Sequence, residues 1–388
     1  YGISTDSFFE RFYQFGGFEK TLSEIERISL EQKLPDKFSF SHDIWAYTQV
    51  EEKIIADSLG VYKTQVLPSS FIQVTAKCHQ HDTNKLTQYR TRIGEICSIH
   101  DFFSRDLILL DQHAKRIARG YQRAFQLQTA KTLSNEDLKK IDHFVLSPSA
   151  MVFVHEAEGH NFEADIIKEG ASGLFHSNGT PIDSCIASDC VDLYDGFPRD
   201  KNGNFMQLLG FGTHFIDDEG IEVKPVQLVK NGKIVAKLHN RSTAEHFHEP
   251  LNGRGFSELG DERIVRMTNT YLFPSENSIR HDTLSALVTD IGFGVYLEGS
   301  YGGAVSRKGM STTIQFAQVI EHGKFTDRIL LPCNLTVETL GALKNVVAFA
   351  GPVEMDDPGF CGKGQTKTVT DGGPFTKIRV SNAITLGF

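Results

Sequence analysis

The sequence predicts an α+β protein: a first part of mixed helix and strand, then a β-rich, mainly antiparallel second part with one short helix at its start. Three observations predict it. Apolar residues recur at helical spacing along one long stretch before Ser134. A second, shorter helical segment follows Pro148. Beyond it, glycine-containing turns alternate with strand-like runs to the end of the chain.

Taken in order, Lys53–Asp57 and Val61–Thr75 read as strands joined through Ser58-Leu59-Gly60, a hairpin-style turn. Arg105 to Thr132 reads as one amphipathic helix, with Leu107, Leu110, Ala114, Ile117, Tyr121 and Phe125 three and four residues apart. Ser147-Pro148-Ser149 punctuates the chain and sets the expected domain boundary, giving domains 1–147 and 148–388. In the second domain, Val226–Lys230, Asn231-Gly232 and Lys233–Lys237 form the clearest hairpin, because Asn-Gly favours a type I′ turn. Gln315–Ile320, His322-Gly323 and Lys324–Leu330 repeat the pattern. Gly292, Gly294, Gly299, Gly302 and Gly303 crowd one stretch, where the backbone is expected to bend sharply or to approach a neighbour closely.

The bulk properties exclude several classes. With 388 residues, 40% apolar and 23% charged, the chain is globular and buries a proper core. A formal net charge of -9 gives no general attraction to nucleic acid or anionic lipid, so neither is expected as a partner. No apolar run approaches the length of a membrane span, and the first thirty residues hold no signal-peptide core. The six cysteines never form a C-x-x-C pair and are expected as free thiols of a cytoplasmic protein. The chain begins with Tyr1 rather than Met, as a fragment of a longer protein would.

The chemistry lies in Met151 to Asp165, where His155, Glu156 and His160 stand together. In H-E-x-x-H metal sites the two histidines are four apart on one helical face, with the glutamate as general base. Here they are five apart, which on an ideal helix leaves them roughly 140° apart. Both face one ion only if the helix widens as a π-bulge or is interrupted near Gly159, so an irregular helix is predicted there. Asn161, Glu163 and Asp165 follow closely enough to orient the ligands from behind. Two imidazoles are too few for tight zinc binding, and the residues leave the third ligand open. Cys361, set among glycines, is one candidate; His246 and His248, or Cys78, His79 and His81, are others.

These blocks resemble the TldD/PmbA family, and within it the TldD-like catalytic branch. The resemblance rests on HEAEGHNFEAD (His155–Asp165), IDDEG (Ile216–Gly220), VRMTNTYLFP (Val265–Pro274), SYGGAVS (Ser300–Ser306) and GFCGKGQ (Gly359–Gln365). It implies an N-terminal α/β domain, truncated here, ahead of a β-rich C-terminal metallopeptidase domain. It further implies Zn2+ held by His155, His160 and Cys361, Glu156 as catalytic base, and a homodimer or a heterodimer with a TldE-like chain that accepts short or unfolded peptides. Two departures stand out: the family's N-terminal region is longer, and the cysteine block is one residue shorter than the usual G-K-x-G-Q, since Lys363 runs directly into Gly364.

The expected function is therefore zinc-dependent hydrolysis of peptides. Arg254, Arg266 and Asn269 are candidate substrate contacts, with ordinary loop and strand roles as the alternative reading. Two rival functions are a metal-dependent enzyme acting on a small amide in a biosynthetic pathway and a non-catalytic TldE-like subunit. The latter branch typically lacks the H-E-x-x-x-H residues that this chain keeps.

Overall fold

A computed structural model of the chain describes residues 18–58, 60–97, 107–196, 210–306, 309–339, 341 and 343–388. The chain divides into two compact units, Tyr1–Lys131 and Thr132–Phe388.

In the first unit, α1 (Glu19–Glu31) precedes three antiparallel strands, β1 (Phe38–Ala56), β2 (Tyr62–Gln80) and β3 (Lys85–Glu95). The two expected strands belong to β1 and β2, each 19 residues long and paired along its whole length. Their turn closes where Gly60 adopts φ 85°; Leu59 lies outside the described residues. The amphipathic helix is α2 (Leu107–Gln126), ending in a 3-10 turn over Leu127–Thr129. Its expected start at Arg105 lies outside the described residues. Ile117, Tyr121 and Ala124 form its buried stripe. The helix lies so close to β3 that a side chain at Gly120 would meet the Thr91 hydroxyl at 2.5 Å.

The second unit begins with α3 (Asn135–Lys140), capped by the Ser134 hydroxyl, and β4 (His143–Leu146). Although β4 precedes Ser147, it pairs with strands near the end of the chain, so it belongs with this unit. The backbone then runs through α4 (Val152–Ala157), a 3-10 turn (Gly159–Phe162) and α5 (Ala164–Lys168). Strands β5 (Val191–Asp195), β6 (Val226–Lys230) and β7 (Lys233–Ile234) come next, followed by α6 (Arg241–Phe247). Two short pieces, β8 (Gly255–Phe256) and β9 (Ile264–Val265), pair with each other. Then come β10 (Asn269–Pro274), β11 (Arg280–His281) and α7 (Leu284–Leu287). The long strands close the chain: β12 (Phe293–Ser306), β13 (Gly309–Glu321), β14 (Lys324–Leu330), β15 (Cys333–Glu338), β16 (Val346–Gly362), β17 (Thr366–Arg379) and β18 (Ile384–Gly387).

The main path of the sheet runs β18-β15-β13-β12-β4-β17-β10-β5-β6-β7. It is mainly antiparallel, with parallel strand pairing among the described residues at β4/β12, β10/β17 and β11/β16. Both expected hairpins form. Asn231 and Gly232 have φ 47° and 76°, and His322 and Gly323 have φ 49° and 74°, the paired positive values a type I′ turn needs. The return strand of the first is shorter than expected, ending at Ile234. One face of the sheet buries the α4 segment: Met151, Phe153, Val154 and Ala157 are wholly enclosed with Leu146, Leu272, Leu297 and Ile314. This packing fixes the helix that carries His155.

Candidate metal centre

The interruption predicted between the histidines is present, as a break rather than a π-bulge. α4 stops at Ala157, Glu158 stays in the right-handed region but at a stretched φ of −113° (ψ −50°), and a tighter 3-10 turn carries His160. Residue 159 must be small, because a Cβ there would lie 2.3 Å from the Met267 sulfur. The break turns the two imidazoles toward each other, with ring centroids 5.0 Å apart and planes at 88°.

Each imidazole is held from behind by a carboxylate. His155 Nδ1 lies 2.9 Å from Asp371 Oδ1, and His160 Nδ1 lies 2.7 Å from Glu163 Oε2. Nδ1–H donating to a carboxylate leaves Nε2 with its lone pair directed into the site. Cys361, at the end of β16, brings its sulfur 3.4 Å from His160 Nε2. The three ligand atoms of His155, His160 and Cys361 lie within 4.8 Å of one another, and among the described residues no other group of three His, Cys, Asp or Glu side chains is so arranged. The rival candidates therefore separate: His246 and His248 fall on α6 and its cap, and Cys78, His79 and His81 in the first unit.

The electrostatics suit a cation. Burial opposes charge on His160, but the Glu163 carboxylate and the Cys361 thiolate outweigh it and push the imidazole up to about 9. Burial likewise opposes charge on His155, and Asp371 and Cys361 outweigh it and raise it well above the ordinary value. Burial would raise the Cys361 thiol, yet the two facing imidazoles bring it down to about 5. Burial pushes Asp371 up to about 6 against the pull of His155, while Lys363 and His160, against burial, hold Glu163 down at about 2. The mutual shifts, imidazoles raised and thiol lowered, mark positions where a divalent ion can take the place of protons.

The residues fit zinc on three counts. His155 Nε2 is buried without a hydrogen-bond partner, a costly state that a metal bond relieves. Two imidazoles and one thiolate form a donor set zinc favours, and three protein ligands leave a coordination position open. The 3.4 Å between sulfur and nitrogen is near the roughly 3.5 Å edge expected around a tetrahedral zinc.

Glu156 adjoins this trio, with Oε2 3.8 Å from His160 Nε2. It has room because residue 303, beside the bulge in β12, is glycine: a Cβ there would come 2.6 Å from Glu156 Cγ. Glu158 is different. It is fully buried, neither carboxyl oxygen has a hydrogen-bond partner, and burial pushes its pKa well above the ordinary range.

Arg254, Arg266 and Asn269 are enclosed rather than turned to solvent. Arg254 pairs with Asp195 at 2.7 Å and donates to the carbonyls of Asp195, Lys224 and Asn252. Asn269 Nδ2 donates to the Thr213 hydroxyl, and its Oδ1 accepts from Gly212 N. Arg266 donates to the carbonyls of Cys361 and Gln365, each at 2.7 Å, so it serves the cysteine loop from inside. Asp371 escaped the sequence reading entirely, since it lies 216 residues from His155 with no local pattern to mark it.

Fold and site together define a strand-rich domain with a buried His-His-Cys cluster on an interrupted helix. A family model described as the PmbA/TldA metallopeptidase C-terminal domain matches residues 142–383, well over half the chain. The chain belongs to this family. A metalloprotease of Methanothermobacter thermautotrophicus is 37% identical over 234 residues, 59% of this chain and 46% of that protein. A zinc metalloprotease TldD homolog of Saccharolobus solfataricus is 27% identical over 61% of this chain and 49% of its own length. The chain spans about half the length of the curated relatives it matches. Among solved structures, TldE from Thermococcus kodakarensis has the same fold, with a TM-score of 0.67 at 14% identity over 95% of this chain and 73% of that one. No helix among the described residues is long and apolar enough to cross a membrane.

Proposed function

We propose that the chain is a zinc-dependent peptidase acting on short or unfolded peptides, with His155, His160 and Cys361 as ligands and Glu156 as general base. The observation that carries this reading is the buried trio of ligand atoms within 4.8 Å with a carboxylate alongside. The names of the relatives, metalloprotease and zinc metalloprotease TldD homolog, support the same activity.

When bound, zinc supplies a Lewis acid and brings the pKa of water toward ~7. Asp371 and Glu163 would hold the two imidazoles by Nδ1, leaving their Nε2 atoms available to the ion. Glu156, 15% exposed at its side chain, is the group placed to accept a proton from water and return it to the leaving amine. Cys361 contributes its anionic sulfur, which moderates the acidity of the ion. The dimer, with a second copy or with a TldE-like chain, is part of the same proposal.

Metal content by mass spectrometry, with digestion of an unstructured peptide mixture, tests it on the wild type, His160→Ala and Glu156→Gln. The expected result is one zinc per wild-type chain, lost with cleavage in His160→Ala, and zinc without cleavage in Glu156→Gln. A wild-type protein that takes up no zinc overturns the reading. Zinc-loaded wild type that cleaves small amides and no peptide replaces it with the biosynthetic alternative.

A further inference from the structure

We propose that Lys363 is a positioning residue for the metal centre: its ammonium ties the turn carrying Cys361 to the carboxylate that orients His160. The inference rests on the metal-centre reading above and adds a residue to it.

Cys361 stands near the tip of the β16–β17 hairpin. Gly362 pairs with Thr366, leaving the three-residue loop Lys363-Gly364-Gln365, with Gly364 at φ 67° and Lys363 N donating to Gln365 O at 3.0 Å. A ligand at a hairpin tip is poorly restrained by its own strands, because the sheet beyond the last pair offers nothing to hold it. Here the tip is held from the side by three side chains, of which Gln365 accepts from Glu258 N and donates to Glu262 O. Arg266, 1% exposed, grips its backbone through the carbonyls of Cys361 and Gln365. Lys363 then reaches back across the site, donating to Asp165 Oδ1 at 2.7 Å and Val265 O at 2.8 Å, with Glu163 Oε2 at 3.3 Å.

The last contact closes a ring. The oxygen of Glu163 that Lys363 approaches is the one that accepts from His160 Nδ1, and His160 Nε2 faces the Cys361 sulfur at 3.4 Å. Two residues of backbone join that sulfur's Cα to Lys363. Ligand, turn, ammonium, carboxylate and imidazole therefore form one closed circuit through two of the three metal ligands. Two of these contacts are hydrogen bonds, to Asp165 and to the Val265 carbonyl, and the third, to Glu163, is an ion pair, so the ammonium is anchored on three oxygens. Glu163 is wholly buried, so its oxygen is confined between the Lys363 ammonium and the His160 ring. A lysine that merely fastened a surface loop would end on exposed partners. This one bonds to the part-buried Asp165 and also pairs with Glu163, which has no exposure and is bonded to His160.

The test uses the full chain and two metals. Zinc affinity is measured by competition with a chromophoric chelator, and cobalt is added to read the thiolate-to-cobalt charge-transfer band, which reports the position of the sulfur at the ion. Lys363→Met is expected to weaken zinc binding by roughly tenfold to hundredfold, the usual range for losing a partner behind a metal ligand, and to shift or weaken the cobalt band. Asp165→Asn removes an anchor while keeping the lysine and is expected to act in the same direction. The double variant is expected to lose less than the product of the two, as coupled residues do. Unchanged zinc affinity and an unchanged cobalt band in Lys363→Met overturn the inference, even if its melting temperature falls. Should Lys363→Met fail to fold, Asp165→Asn decides by the same two readings. A wild type that binds neither metal shows the fault to lie in the metal-centre reading, before any substitution is made.

Discussion

His160 and Cys361, as proposed ligands, would divide the work of binding an ion. His160 is raised to about 9, so an incoming ion competes with its proton for the same lone pair. His160 sits at about 9 and must give up its proton to bind metal at pH 7. Zinc binding at pH 7 is therefore expected to release at least one proton, and apparent affinity to rise with pH toward about 9. Below about 5 the Cys361 thiol is protonated as well, and affinity is expected to fall more steeply. Calorimetric titration in buffers of different ionisation enthalpy measures the proton count directly; no release at pH 7 contradicts the assignment. The same shifts act on the metal-free fold. His160 is raised from 6.5, so its contribution to stability is complete below pH 6.5 and lost as pH rises through about 9. Glu163 is lowered from 4.5, so its contribution is present above pH 4.5 and lost as pH falls through about 2.

At the scale of elements, the site depends on two departures from regularity. One is the break after α4, which lets histidines five apart face one point. The spacing made that break readable in advance, though its form, a 3-10 turn under Met267, came from packing. The other is the bulge in β12 between Ser300 and Gly303, which brings the backbone against Glu156. The glycine crowding there was legible as a close approach, whereas the neighbour approached was not. Gly303→Ala is expected to displace Glu156 and leave the three ligands in place. Zinc content should stay at the wild-type level while peptide cleavage drops at least about 100-fold, since displacements near 1 Å have that effect on reacting groups. Loss of zinc in this variant would show that β12 supports the ligands as well.

For the whole molecule, the two units divide the labour unevenly. All three proposed ligands, Glu156, and the residues that hold them (Asp371, Glu163, Lys363 and Arg266) lie within Thr132–Phe388. Residues 132–388 produced alone are accordingly expected to bind one zinc, with affinity within about threefold of the full chain. A larger loss would assign part of the site's integrity to the first unit. The sequence by itself determined what local pattern determines: the amphipathic helix, the two Asn-Gly and His-Gly hairpins, the strand-rich second part, and the pair of histidines with its necessary irregularity. It also supplied Cys361, through resemblance rather than spacing. It could not supply Asp371 behind His155, the inward roles of Arg254, Arg266 and Asn269, or the unit to which β4 belongs. Those depend on which strands lie side by side, with β4 between β12 and β17, and β17 beside β10. Periodicity reports which face of an element is buried; only the assembled sheet decides what each buried group meets there.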